Sequence, residues 1–186
     1  MGIAPAASRP FPSGRDERFA TPPTLAARGI ALRHARDDDL PWLRTLYAAS
    51  RADEMAPLPW PGAAKRAFLD QQFAAQHAHY LEHHGDADFL AIERDGAPIG
   101  RYYLQRTAPD HLIVDITIDA RARGQGIAGA LIAQTQDDAA ALGRGVRLHV
   151  HAHNAGAQRL YRRCGFVANH DDTGPYLGMR WGADAT

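Results

Sequence analysis

The stretch "DITIDARARGQGIAGALIAQ", residues 115–134, decides how the chain is read. Gly124, Gly126 and Gly129 spell G-x-G-x-x-G, the fingerprint of a dinucleotide-binding turn. Arg121, Gly124 and Gly126 also spell R-x-x-G-x-G, a different phosphate cradle. A strand before the glycines and a helix after them suit either reading. The dinucleotide reading then fails three requirements. Its first glycine belongs straight off the strand, but "DARAR" intervenes. Its next strand should end on an acidic residue, and here it ends "HVHAHN". It also needs several further strand–helix units, for which too little chain follows. No Gly-Lys-Ser/Thr is present, which excludes a Walker loop. The second reading has a direct physical basis. Glycines let the backbone come close to a ligand, and amides at a helix start converge on one point. Added charge from Arg121 and Arg123 makes this a diphosphate site.

Working outward, "HLIVDITI" (111–118) reads as the strand entering the cradle, and the helix leaving it runs to about residue 142. "DFLAIERDGAPIGRYYLQRT" (88–107) reads as a hairpin about Asp95-Gly96. "GIALRHA" (29–35) and "GVRLHVHA" (145–152) are further strands. "FVANH" and "YLGMRW" close the chain as two more. Helices are expected over "RDDDLPWLRTLYAAS", with an Asp as cap, over residues 63–84, and over "AGAQRLYRRCG" (155–165). "RADEMAPLPWPG" (51–62), with three prolines, reads as a loop. The order predicts a mixed α/β domain over residues 28–182, with a mostly antiparallel sheet of about seven strands and helices on both faces. Residues 1–27, rich in Pro, Ser and mixed charge, read as a flexible leader, and 183–186 as a tail.

Composition narrows the function classes. Lys+Arg and Asp+Glu are both 21, so no global positive field holds nucleic acid or an anionic membrane. No apolar run approaches the roughly 20 residues of a membrane helix, and the N-terminus lacks the apolar core of a signal peptide. Cys164 is the only cysteine. A cytoplasmic protein is the expectation.

With these residues in view, the sequence resembles the GNAT family of N-acetyltransferases. "ITIDARARGQGIAGALI" looks like that family's acetyl-CoA motif. "VRLHVHAHNAGAQRLYRRCGF" looks like its next motif, with Asn154, Ala157, Leu160, Tyr161, Gly165 and Phe166 in register. Ala120 departs from the family's frequent proline. The resemblance implies acyl transfer from acetyl-CoA, as co-substrate, to a primary amine by direct attack. It implies that the backbone at Ile116 and Ile118 pairs with the pantetheine arm. Arg121, Arg123, Gly124, Gln125, Gly126, Ile127 and Ala128 would hold the diphosphate. Asn154 would bond the pantetheine, and Tyr161 would protonate the leaving thiolate. The same fold without turnover, as an acyl-CoA sensor, is the alternative.

An attacking amine must be neutral, so a base is sought. His149 is the first candidate, because family members acting on protein N-termini carry Glu or His there and imidazole suits neutral pH. Asp110, at the start of the 111–118 strand, is the second, and Asp115 the third. Each also has a purely structural reading, as a strand or turn residue. His149, His151 and His153 alternate on a strand, and His79 and His83 pair at helical spacing. Neither set shows the third and fourth ligand a metal needs, and no metal is expected. For the acceptor, Asp53 and Glu54 offer charge and Trp60 a packing surface. The acceptor class is a small-molecule amine or a peptide N-terminus. The resemblance also implies a homodimer, through the sheet or the C-terminal strands.

Overall fold

The computed structural model describes residues 9–12, 20–169 and 174–182. The fold is built on the hairpin of β2 (Asp88–Arg94) and β3 (Ala97–Gln105). Asp95 and Gly96 at its turn have φ of 50° and 80°, the left-handed pair that a tight hairpin needs. β1 (Ile30–His34) adds antiparallel to β2, and β4 (Asp110–Ile118) antiparallel to β3. β5 (Gly145–His151) runs parallel to β4. Beyond it lie β7 (Tyr176–Trp181) and, at the edge, the short β6 (Val167–Ala168). The order is β1-β2-β3-β4-β5-β7-β6, seven strands with one parallel pair, as expected. β7 pairs with β5 along its length and with β6 at Met179 and Arg180.

Helices cover both faces. On one side lie α1 (Pro23–Ala26), α5 (Ile127–Ala140) and α6 (Ala155–Arg163), packed with Ile92, Tyr102, Leu104 and Leu148. On the other lie α2 (Leu40–Ser50), α3 (Ala52–Met55) and α4 (Gly62–His83), packed with Phe89 and Tyr103. α2 buries Leu43, Leu46 and Tyr47, and α4 buries Leu69, Phe73 and His77, each set at the three- or four-residue spacing of one helix face. β3 is buried without a break from Gly100 to Leu104 because alternate residues enter opposite layers.

Three local readings need amendment. The expected aspartate cap of α2 is not one: Asp39 instead accepts from Arg33 at 2.7 and 2.8 Å and from the Arg36 amide. The expected loop 51–62 contains the single turn α3. Parts of residues 1–27 belong to the packed body. Phe11 is buried edge-on to His77 at 4.8 Å, and its amide donates to Asp37. Leu25 of α1, 1% exposed, sits in the core under α5. Burying two such side chains stabilises the fold by about 1.5–3 kcal/mol each. Residues 1–8, 13–19, 170–173 and 183–186 lie outside the described residues, and with them the last residue of the expected strand "FVANH".

One irregularity shapes the site. Tyr103 pairs with Asp115 and Leu104 with Ile113, so Val114 is an extra residue in β4. Such a bulge bends its strand. β4 and β5 pair only from Asp110/Gly145 to Ile113/Leu148, then part.

Candidate active site

Past Ile113 the side of β4 that faced β5 has no strand partner, leaving the backbone of 114–118 open along one edge. Ile116 and Ile118 remain bound on their other side, opposite Tyr102 and Gly100. The open edge leads into the glycine turn. Gly124 and Gly126 have φ of 73° and 76°, a conformation that costs other residues about 1–2 kcal/mol. A Cβ built on either meets nothing within 4 Å, so the space above the turn is clear. The Arg123 amide bonds back to Ala120, and the next amide with a backbone acceptor is Ala130, to Gly126. The amides of Gly124, Gln125, Gly126, Ile127, Ala128 and Gly129 between them have no acceptor among the described residues. Six unanswered donors at the start of a 14-residue helix make an anion site, reinforced by the helix dipole. Arg123 ties the turn to the strand by donating to the Ile118 carbonyl at 2.9 Å. Arg121, exposed, is held by Asp119.

α6 carries Tyr161. Its ring is buried against Phe166, while its hydroxyl has no hydrogen-bond partner among the described residues. Burial first, and then the negative charge of Asp115, raises the Tyr161 pKa well above the ordinary tyrosine value. The hydroxyl therefore stays protonated through the neutral range. Asn154 caps α6, its Oδ1 accepting from the Ala157 amide at 3.0 Å. That leaves its side-chain NH₂ free to donate, since an amide offers both functions.

The most developed electrostatic feature was nearly invisible in sequence. Asp115 sits in a buried cluster, accepting from Arg101 at 2.8 and 3.1 Å, from the Tyr80 hydroxyl at 3.0 Å and from Thr117 at 2.8 Å. Arg101 also donates to Gln76 and lies over the Tyr103 ring. The Asp115 carboxylate thus has donors on all four acceptor positions. The available signal was one charge inside each of two neighbouring apolar runs, "GRYYL" and "IVDITI", which can only be buried together.

The other candidates fall in different places. His149 is exposed on β5, one residue past the last β4 pair, and faces the same way as Arg147 and His151. Asp110 lies at the opposite end of β4 in a two-pronged pair with Arg180, at 2.8 and 2.9 Å. Those bonds hold its carboxyl below the usual carboxylate range. It faces Arg180 and Gly145, at the end of β4 where the strand is still paired with β5. Asp53 and Glu54 are exposed on α3, with Glu54 paired to Arg51. Trp60 is 43% exposed, edge-on to Phe68. His79 and His83 are close, but the His83 Nδ1 donates to its own helix carbonyl. Among the described residues no three His, Cys, Asp or Glu side chains group to hold a metal. No helix there is long and apolar enough to cross a membrane.

The model of the acetyltransferase (GNAT) family matches residues 46–166, well over half the chain and all of the opening. The chain belongs to the GNAT family. Solved structures agree in fold. PaiA N-acetyltransferase from Thermoplasma acidophilum, in complex with coenzyme A, is 18% identical with a TM-score of 0.62, over 83% of this chain and 99% of that one. RimL, a ribosomal L7/L12 alpha-N-protein acetyltransferase in complex with coenzyme A, is 19% identical with a TM-score of 0.57, over 85% and 96%. The ribosomal-protein-S18-alanine N-acetyltransferase from Escherichia coli is 19% identical with a TM-score of 0.52, over 81% and 90%. No curated protein matches in sequence. The unpaired end of β4 and the glycine turn before α5 both lie within the matched stretch.

Proposed function

We propose that this GNAT protein is an acyl-CoA-dependent N-acyltransferase, moving acetyl from acetyl-CoA to a primary amine by direct attack in a ternary complex. The observation that carries the reading is the β4 edge without a β5 partner, followed by a turn whose six amides have no acceptor among the described residues. The chain's donors fit the group: clear space lies over Gly124 and Gly126, and nothing in the described protein competes for their amides. Bound acetyl-CoA supplies an acetyl group activated as a thioester.

The protein's own parts then have definite tasks. Amides of residues 124–129, with Arg121 and Arg123 nearby, neutralise the diphosphate. The backbone at Ile116 and Ile118, where β4 has no β5 partner and the Ile118 carbonyl already accepts from Arg123, and the Asn154 NH₂ hold the pantetheine amides. A free amide of the parted strand polarises the reacting carbonyl. Tyr161, kept protonated by burial and by Asp115, delivers its proton to the leaving sulfur. His149, exposed where the strands part, takes the proton from the incoming amine. Asp115 does not, because its acceptor positions are filled.

Among acceptors we favour a peptide N-terminus. Two structural neighbours are named as acetyltransferases of ribosomal proteins, one of them an alpha-N-protein acetyltransferase, and His149 is exposed where the strands part. Thiol release from acetyl-CoA, followed across a panel of short peptides, polyamines and amino acids, tests this. Release above the solvent rate with peptides supports it. Binding without release on any amine would leave a non-catalytic acyl-CoA sensor instead.

A further inference from the structure

We infer that Arg28 and Arg94 are positioning residues for the diphosphate cradle, acting through Gln125; this rests on the acyl-CoA reading above. The segment before β1 lies outside the stretch that matches the family model, yet it reaches the cradle. Arg28 donates from Nη1 to the Gln125 carbonyl at 2.9 Å, across 97 residues of sequence. Arg94 donates from Nη2 to Gln125 Oε1 at 2.6 Å. The Gln125 NH₂ in turn donates to the Arg121 carbonyl. Both arginines come from one place, since Ile30 and Arg94 are partners at the β1/β2 end and Arg28 is two residues before Ile30. Leu25, buried against the α5 side of the core, holds the segment there.

The consequence follows from peptide geometry. In a planar trans peptide the carbonyl and the following N–H point in opposite directions. Fixing the Gln125 carbonyl toward Arg28 therefore aims the Gly126 N–H the other way. Glycine makes this restraint necessary. Gly126 accepts either sign of φ at little cost, so the 125–126 peptide can flip and present a carbonyl to an anion. The Arg28 bond opposes that flip, and the Arg94 bond holds the Gln125 side chain out of the turn. Preorganised donors bind without the cost of ordering them.

The test uses calorimetric titration of the full chain with coenzyme A and with dephospho-coenzyme A, which keeps the diphosphate and lacks the ribose phosphate. Arg28→Ala is expected to weaken both ligands about tenfold, and Arg28→Lys to recover part of the loss. Arg94→Ala is expected to weaken both about threefold, and to have no further effect in a Gln125→Ala background. The free protein's unfolding midpoint and the KM for the acceptor amine should stay at wild-type values. Equal affinity in wild type and both arginine variants would overturn the proposal. So would a loss seen with coenzyme A alone, which would mean direct contact with the ribose phosphate. So would undiminished loss for Arg94→Ala in Gln125→Ala. Should Arg28→Ala fail to fold, Arg94→Ala decides, because its bond ends on a side chain. Failure of the wild type to bind either ligand would instead reject the acyl-CoA reading.

Discussion

Replacing Asp115 by Asn removes one charge from a cluster that has almost no solvent. Arg101 is 4% exposed and the Asp115 side chain 12%. Two of the three side-chain hydrogen bonds from the Arg101 guanidinium end on Asp115, so the substitution leaves a buried guanidinium with neutral acceptors only and puts an NH₂ donor where one carboxylate oxygen had accepted. Tyr80 and Thr117 lose a charged acceptor as well. Breaking a buried pair from one side costs about 3–5 kcal/mol. At about 2–4 °C per kcal/mol for a domain of this size, the expected fall in midpoint is about 6–20 °C. Replacing both partners by apolar residues, Arg101→Met with Asp115→Leu, removes the stranded charge and should recover most of the loss. Urea unfolding of the wild type, the single variants and the double variant measures this as a cycle. An Asp115→Asn protein within about 1 kcal/mol of wild type would refute the claim that this pair is dry and mutually dependent. So would a double variant less stable than either single one.

Other outcomes follow from the same geometry. Tyr161→Phe should leave acetyl-CoA affinity unchanged and lower kcat by about 10²–10⁴-fold, read by stopped thiol-release assays. Asp110 is held below its ordinary pKa chiefly by hydrogen bonds from Arg180, so its contribution is complete above the ordinary carboxylate value of about 4. It is lost as pH falls through the lower folded value. Asp110→Asn should therefore be less stable than wild type by about 1–2 kcal/mol at pH 7, with the gap closing below about pH 4 in acid-unfolding curves. If Asp110 were the base, this variant would instead lose turnover at neutral pH while keeping its stability.

The sheet was legible because its strands alternate and its hairpin turn is marked by Asp95-Gly96. The cradle was legible because glycine spacing reports backbone need directly. What escaped is what depends on distant pairs. Arg101 and Asp115 neutralise each other across two strands, and neither run names its partner. Phe11 is a lone apolar residue among prolines and charges, with no periodicity to reveal that it fills a pocket beside His77 and Phe89. Asp110 looked like a base from its place along the strand. Its occupation by Arg180, 70 residues away, could be seen only once β5 and β7 were in register. Asn154 was identified for its ligand role, whereas its capping of α6 is local and could have been read from its position before the helix.

The central claim is that the turn at Gly124–Gly126 opens its amides to the diphosphate of acetyl-CoA. Calorimetric titration of acetyl-CoA into the wild type and into Gly126→Glu tests it most directly. Saturable binding to the wild type, abolished when a carboxylate and a Cβ occupy the clear space over residue 126, is the predicted result. Equal binding by both proteins, or none by the wild type, would contradict it.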